Sequence, residues 1–133
     1  YKFMKSYTDV NQSKILAEIL PLESADMHYS TWTIVSEDGE FIVSVSQQDE
    51  TIEELQKEYG NQIIPCWSLA ALIDVLPNFI GDYGKCLYYD IGGYYCGYMV
   101  DGDFMLTIEE TNADNQIDAC FEMIIKLNEQ KIL

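Results

Sequence analysis

The 133-residue sequence contains no arginine, a single histidine and only seven basic residues, all of them lysine. Because Asp and Glu number 23, the formal net charge is −16. Proteins that bind nucleic acids directly neutralise phosphates with clusters of Lys and Arg, which this chain lacks. Without arginine it also has no bidentate phosphate clamp. These absences argue against direct binding of DNA, RNA or an anionic membrane, whereas the charge favours basic partners.

Long apolar runs are missing as well. No window reaches the roughly 18–20 apolar residues that a transmembrane helix requires. The first five residues, 1–5, lead into polar sequence and contain no signal-peptide hydrophobic region. The sequence therefore predicts a cytoplasmic protein with no membrane partner. The alternative is a mature chain from which an N-terminal segment has been cleaved. Because the first residue is not Met, the sequence also allows for further residues upstream.

Residues that typically bind metals or act as nucleophiles are few and scattered. The cysteines, Cys66, Cys86, Cys96 and Cys120, show no Cys-x-x-Cys or Cys/His ligand spacing, so buried reduced thiols are predicted, with two disulfides as the alternative. No family signature surrounds any of these cysteines, which disfavours a catalytic pair with His28, the single histidine. The prediction is a protein without cofactor, metal site or catalytic residue, and not an enzyme.

Two short motifs have a simpler structural explanation than a chemical one. Asp101-x-Asp103 offers oxygen ligands of the kind that Ca²⁺ or Mg²⁺ prefers, but Asp101-Gly102 is also a strong hairpin-turn signal. The glycines at 81–84 and 92–93 match no phosphate-binding loop that opens a helix. A turn is therefore favoured over a metal site at Asp101-x-Asp103, and loops are favoured over phosphate binding at the two glycine segments.

Apolar residues recur with helical spacing in four segments. The predicted helices cover residues 8–20, 51–60, 65–77 and 116–130. Thr8, Thr51 and Asn115 are the expected N-caps, because their side-chain oxygens can accept from orphan backbone N–H groups. Gly60 suits the end of the second helix, and Pro65 and Pro77 flank the third.

Strand-like runs fill much of the remaining sequence. A hairpin is predicted over 31–46, with Asp38-Gly39 at its turn, and a three-strand meander over 85–109. The meander would turn at Gly92-Gly93 and Asp101-Gly102. The length fits one domain, 1–133. The predicted fold is therefore a single α+β domain in which an antiparallel sheet, made of the hairpin and the meander, packs against about four helices.

The meander is unusually rich in tyrosine, with six between residues 83 and 98. From Asp90 to Glu122 the chain also has acidic residues and no basic one. Tyrosine is enriched in binding surfaces, although it also simply favours strands. The candidate interaction surface, or its opposite-face neighbours, consists of Tyr88, Tyr95, Tyr98, Asp101 and Asp103. An aromatic surface rimmed by carboxylates suits a protein partner, and a basic one in particular.

Three segments look familiar. They are residues 8–28, residues 64–72 (Ile-Pro-Cys-Trp-Ser-Leu-Ala-Ala-Leu) and residues 117–131, about a third of the chain. These segments resemble a family of small hypothetical proteins of gut anaerobic bacteria and their phages or mobile elements. Relatives often carry Pro after the capping Asn, where this chain has Gln116. The resemblance implies a shared helical frame that presents variable strands and loops, and no established activity.

The function remains unknown at this level, and three hypotheses are carried forward. The first is a non-enzymatic protein-interaction module of mobile-element origin. The second is an acidic mimic of DNA that inhibits a host DNA-processing or defence protein, because a charge of −16 can imitate phosphates. The third is a small ligand-binding protein or enzyme, which would require a pocket with convergent polar groups. The oligomeric state is left open.

Overall fold

The computed structural model describes residues 5–30, 42–45, 51–100 and 103–133, with side chains described for these except 42–45, 61 and 103–107. The described residues form four α-helices and two antiparallel sheets, so the predicted α+β class is confirmed. They group into two compact units. One covers residues 7–71, and the other covers residues 72–133 together with the segment before Tyr7. The single-domain assignment stays a prediction.

Helices and strands are mixed along the chain, and four consecutive strands precede the last helix. The helices are α1 (Val10–Ile19), α2 (Ile52–Tyr59), α3 (Leu69–Val75) and α4 (Gln116–Glu129). The strands are β1 (Met27–Ser30), β2 (Ile42–Val45), β3 (Ile63–Cys66), β4 (Phe79–Ile80), β5 (Tyr83–Asp90), β6 (Gly93–Val100) and β7 (Asp103–Ala113). Two short 3₁₀ turns, Leu22–Ser24 and Gly60–Gln62, follow α1 and α2.

In the unit of residues 7–71, β1 lies between β2 and β3 in an antiparallel sheet. Its register with β3 places Met27 opposite Cys66 and Tyr29 opposite Ile64. Because strand side chains alternate between faces, these four residues share one face. Val10 of α1 packs against this face. The first residue of α1 thus adds to the small apolar cluster on this side of the sheet.

The start of α1 differs from the prediction by one residue. Asp9, not Thr8, is the N-cap: its carboxylate accepts from the Gln12 backbone N–H at 2.8 Å, and the Gln12 side chain accepts from the Asp9 N–H at 3.1 Å. This reciprocal capping box satisfies two backbone donors at once. The expectation for Thr8 was wrong because its hydroxyl is used elsewhere, in the core.

Thr8 is fully buried at the centre of a polar cluster. Its hydroxyl accepts from the Trp67 backbone N–H at 3.1 Å and lies 2.8 Å from the Ser13 hydroxyl. Its carbonyl accepts from the Tyr29 hydroxyl at 2.6 Å. Its backbone N–H donates to the Trp67 carbonyl at 3.0 Å. Since buried polar groups are costly unless they are hydrogen-bonded, Thr8 joins the start of α1 to the end of β3.

The caps predicted for α2 and α4 are confirmed. Thr51 and Glu54 form the capping box of α2, and Gly60 ends that helix with a φ of 62°, a value that disfavours other residues. The side chain of Asn115 accepts from the Asp118 backbone N–H at 2.9 Å at the start of α4. In both cases the capping signal lies within four residues, so local chemistry decides the boundary.

The third predicted helix, 65–77, is wrong in its first part. Ile63–Cys66 is a buried strand, and α3 begins only at Leu69. Pro65 therefore lies in a strand, opposite His28. The Ser68 hydroxyl accepts from the Ala71 backbone N–H at 3.2 Å at the beginning of the helix. A short apolar run fits a buried strand as well as a buried helix, and periodicity alone does not separate them.

The predicted hairpin over 31–46 is only partly covered. Ile42–Val45 is a strand as expected, and it pairs with Met27–Ser30. The other predicted strand and the Asp38-Gly39 turn lie outside the described residues. The sequence Met-His-Tyr-Ser of β1 alternates apolar and polar residues, but the pattern is only four residues long, and this strand was not predicted. Pairing on both sides makes it a strand.

In the second unit, β5, β6 and β7 form the predicted meander, with the two-residue strand β4 added at one edge. The first turn lies at Ile91-Gly92, one residue earlier than predicted, and the expected turn at Asp101-Gly102 lies outside the described residues. α4 packs against β6 and β7. Its buried residues are Ile117, Ala119, Cys120, Met123, Ile124 and Leu127.

The cysteines are free: Cys66, Cys96 and Cys120 are buried and Cys86 is half-buried. No described helix has the length and apolarity to cross a membrane. Within the described part of the chain, no group of three or more His, Cys, Asp or Glu side chains is arranged to hold a metal ion.

Candidate functional site

The β5–β6 hairpin places its tyrosines in two cross-strand pairs. The register puts Tyr88 opposite Tyr95 and Tyr89 opposite Tyr94. Because side chains alternate along each strand, the two pairs lie on opposite faces of the hairpin. Tyr89 is 76% exposed, and Ile91 in the turn is fully exposed. The end of this hairpin therefore presents aromatic side chains on both faces.

Tyr88 and Tyr95 form a parallel stack. Their ring centroids lie 4.6 Å apart, and the ring planes differ by only 6°. Both side chains are half-buried. They line an open concavity of about 610 Å³, here named the tyrosine groove, whose described lining consists of Tyr88, Tyr89, Asp90, Tyr95 and Glu110. Stacking of this kind contributes about 0.5–1.5 kcal/mol beyond area burial, so each ring fixes the other.

Both stacked tyrosines have a carboxylate near the hydroxyl. The Tyr88 hydroxyl donates to Glu110 Oε2. The Tyr95 hydroxyl lies near the Asp90 carboxylate and the Asn112 side chain. The register of β7 explains this arrangement. Asn112 lies opposite Tyr95, and Glu110, two residues before Asn112, is on the same face of β7. Three strands thus contribute side chains to one hydrogen-bonded surface.

The electrostatics of the groove follow from these contacts. Burial and the hydrogen bond to Glu110 raise the pKa of Tyr88, and the Glu110 charge adds to the effect. Partial burial and the Asp90 carboxylate raise the pKa of Tyr95. Both hydroxyls therefore stay protonated near neutral pH and act as donors. None of the described side chains that line the groove is basic, so its charge is that of its two carboxylates.

The turn beside the groove depends on a glycine. A Cβ at Gly92 would lie 2.5 Å from the Tyr95 hydroxyl oxygen and 3.1 Å from Asp90 Oδ1. The Gly92 N–H donates to Asp90 Oδ1 at 2.7 Å, and its carbonyl accepts from Asn112 Nδ2 at 3.1 Å. The absence of a side chain lets the Tyr95 hydroxyl approach the turn closely.

Gln116, the first residue of α4, supports the groove from the helix. Its Nε2 donates to the Tyr88 carbonyl at 3.1 Å and to the Tyr95 carbonyl at 3.3 Å. One side chain thus ties the backbones of both stacked tyrosines to α4. This is also the position at which the resemblance expects Pro, which has neither of these donors.

We expect Gln116→Pro to loosen the hairpin while α4 still forms, because proline is favoured at the first helical position. Loss of the two hydrogen bonds should raise amide hydrogen exchange in residues 86–97 by about tenfold. Exchange measured by mass spectrometry and far-ultraviolet circular dichroism check the two parts. Gln116→Ala, the control for the proline ring, should give the same increase. Unchanged exchange in both variants would contradict this role of Gln116.

The residues of the predicted interaction surface do not all lie in the groove. Tyr88 and Tyr95 lie together in the groove. Tyr98 does not belong to the surface: it is fully buried, and its hydroxyl donates to the Pro77 carbonyl at 2.6 Å. Tyr95 and Tyr98 are three positions apart, an odd offset, so alternation directs them to opposite faces. Asp101 lies outside the described residues, and Asp103 begins β7 with its side chain undescribed.

Asp90 and Glu110 line the groove and Asn112 lies beside Tyr95, and none of the three was predicted from the sequence. The signal that would have found Asp90 is the turn itself, since a two-residue turn at 91–92 pairs Asp90 with Gly93 and brings Tyr88 opposite Tyr95. Glu110 and Asn112 depend on the β6–β7 register, which contains a shift between Tyr98 and Val100. Counting residues across an irregular pairing does not reveal such a register.

His28 and Cys66 do not form a catalytic pair. His28 lies opposite Pro65 in the sheet, so the next residue, Cys66, points to the other face. Cys66 is fully buried. Burial raises the pKa of the Cys66 thiol, although hydrogen bonds from neighbouring hydroxyls oppose the shift. A buried neutral thiol is an inert one, so this arrangement is structural.

Comparison of the chain with protein-family models, curated proteins and solved structures found no match. The resemblance to the family of small hypothetical proteins therefore stays a prediction, and the candidate site rests on its own geometry.

Proposed function

We propose that this chain is a non-enzymatic protein-interaction module and that the tyrosine groove is its contact surface. The observation that carries the proposal is the Tyr88–Tyr95 stack in an open groove, with Glu110 bonded to the Tyr88 hydroxyl and the Asp90 carboxylate near that of Tyr95. Tyrosine is enriched at protein interfaces because it combines a large rigid area with a polar hydroxyl. A surface whose rings are already fixed loses little conformational entropy on binding.

The groups in the groove suit recognition better than catalysis. A general acid or base works best when its pKa lies near the operating pH. The tyrosine hydroxyls have raised pKa values, and the groove lining supplies no histidine or cysteine among the described residues. The groove is also open, whereas enzymes usually exclude water from the reacting groups. A small-ligand site or an enzyme is therefore the less favoured interpretation.

Affinity capture with matched variants tests the proposal. The bait is the wild-type chain, and the source is a nuclease-treated lysate of the cells that produce it. We expect Tyr88→Leu and Tyr95→Leu to lose a partner that the wild type retains. Phe79→Leu is the control, because Phe79 is a 68% exposed aromatic residue on the same sheet outside the groove. Retention of every partner by both groove variants would refute the proposal.

Mimicry of DNA is the second candidate, favoured by the net charge of −16. A complex that depends on many exposed charges weakens steeply with salt, because exposed charges more than about 8–10 Å apart are screened at physiological ionic strength. Mimicry of DNA would be favoured by capture of a basic DNA-processing protein that elutes at moderate salt and that the Tyr88 and Tyr95 variants bind as well as the wild type. Persistence at high salt would favour the groove. The cytoplasmic location and the mobile-element origin remain part of the proposal.

A further inference from the structure

We propose that the tyrosine groove binds an arginine side chain presented by the partner protein. This inference rests on the proposed function and adds the chemical class of the group that the groove recognises. Three features carry it: the flat aromatic stack, the two carboxylates at its hydroxyl ends and the fixed geometry of both.

The aromatic stack offers a platform for a planar cation. Tyr88 and Tyr95 are parallel to within 6° and half-exposed in the groove. The face of a tyrosine ring carries partial negative charge, so it attracts a cation positioned within about 6 Å of its centroid. A guanidinium group is planar and weakly hydrated, and it stacks on aromatic faces in a way that an ammonium group does not.

The carboxylates supply the matching charge. Glu110 and Asp90 lie beside the hydroxyls of Tyr88 and Tyr95, and both line the groove. Each carboxylate is held by a hydrogen bond, Glu110 by the Tyr88 hydroxyl and Asp90 by the Gly92 N–H. Each also retains capacity for further donors, because a carboxylate has about four lone-pair sites. A guanidinium has five N–H donors in a fixed fork, which suits two fixed carboxylates better than the point charge of lysine does.

The nearest lysine on α4 does not neutralise this charge. Lys126 pairs with the Glu109 carboxylate at 3.0 Å, and it contacts only the backbone carbonyl of Glu110, at 3.5 Å. Glu109 and Glu110 are adjacent in β7, so their side chains point to opposite faces. The ion pair thus stays on the α4 face, and the groove keeps its negative charge for a partner. The chain has no arginine of its own that could fill the groove.

A nuclear magnetic resonance titration with three short peptides tests the inference. The probes are acetyl-Gly-Arg-Gly-amide, its lysine counterpart and its citrulline counterpart, which keeps the shape of arginine without the charge. We expect the arginine peptide to shift the amide signals of Tyr88, Tyr95 and Glu110. Affinity for the citrulline peptide should be at least about fivefold lower, and affinity for the lysine peptide about threefold lower.

Variants of the full chain separate the groove from bulk charge. Tyr95→Leu and Glu110→Gln should each weaken the arginine peptide by about threefold to tenfold. Glu18→Gln removes the same charge from an exposed position on α1 and should leave the affinity unchanged. Equal weakening by Glu18→Gln would show attraction by net charge alone and would overturn the inference.

The outcomes for the inference and for the proposed function are distinguishable. Equal binding of the arginine and citrulline peptides, equal binding of the arginine and lysine peptides, or no binding of any peptide would overturn arginine recognition. The proposed function would still stand if partner capture depended on Tyr88 and Tyr95. If replacement of Tyr88 and Tyr95 left partner capture unchanged, the proposed function would be refuted regardless of the peptide titrations.

Discussion

Replacement of Thr8 by Val should lower the free energy of unfolding by about 2–4 kcal/mol, although the two side chains have nearly the same shape. The substitution removes the acceptor of the Trp67 N–H and the partner of the Ser13 hydroxyl, both in a fully buried setting. A buried polar group that loses its partner costs about 1–3 kcal/mol. The effect is large because this one hydroxyl is hydrogen-bonded both to Ser13 in α1 and to the backbone of Trp67 after β3.

Urea unfolding followed by circular dichroism measures this effect. Thr8→Ser is the matched control, because it keeps the hydroxyl and removes one methyl group, which costs about 1 kcal/mol. We expect the Ser variant to lie close to the wild type and the Val variant well below it. If Val were as stable as the wild type, the hydrogen bonds around Thr8 would contribute nothing net to folding.

Replacement of Tyr98 by Ala should be more disruptive still, with a loss of about 3–5 kcal/mol. Tyr98 is fully buried in β6, and its hydroxyl donates to the Pro77 carbonyl. Burial raises the pKa of Tyr98, so the hydroxyl stays protonated and keeps this bond. Loss of the ring leaves a cavity, and loss of the hydroxyl leaves the carbonyl without that donor.

Two control variants separate the contributions of the Tyr98 ring and hydroxyl and compare the core with the groove. Tyr98→Phe keeps the ring and should cost about 1–2 kcal/mol, the value of the lost hydrogen bond. Tyr88→Leu removes a groove tyrosine and should change stability by about 1 kcal/mol or less, because that ring is only half-buried. Both are read from the same urea titrations. Similar losses for Tyr98→Ala and Tyr88→Leu would contradict the assignment of Tyr98 to the core and Tyr88 to the surface.

This contrast matters for the design of interaction experiments. Tyr95 and Tyr98 are three residues apart in one strand, yet one lines the groove and the other lies fully buried. A binding defect in a Tyr98 variant would report unfolding and not contact with a partner. The groove variants Tyr88→Leu and Tyr95→Leu avoid this ambiguity, because neither ring is deeply buried.

Local chemistry made part of the fold predictable. The capping box of Thr51 and Glu54, the cap at Asn115 and the glycine at position 60 each act within a few residues, and all three helix boundaries agree with the structure. The order of the meander strands also follows from short turns, because consecutive antiparallel strands joined by two residues pair with each other. Nothing distant has to be known for these features.

Other features required partners that the sequence does not reveal. Met27–Ser30 alternates apolar and polar residues over only four positions, too short a pattern to predict a strand, and it becomes one because β2 and β3 pair with it on both sides. Pro65 and Cys66 were predicted as the start of a helix, but they belong to the edge strand Ile63–Cys66, which forms because β1 pairs with it. Thr8 is a suitable N-cap by residue type, although only Asp9 has a Gln three residues later, and the Thr8 hydroxyl instead accepts from the Trp67 N–H, 59 residues away.

The sequence by itself determined that the molecule is strongly acidic, that it lacks arginine, and that its tyrosines are concentrated on two neighbouring strands. It also determined, through the strict alternation of side chains, that Tyr95 and Tyr98 point in opposite directions. Only the tertiary structure decided which direction is outward. α4 packs against β6 and β7 and covers the face of Tyr98, because its apolar stripe has to be buried against a sheet. The opposite face, with Tyr88, Tyr95 and their two carboxylates, is thereby left as the groove.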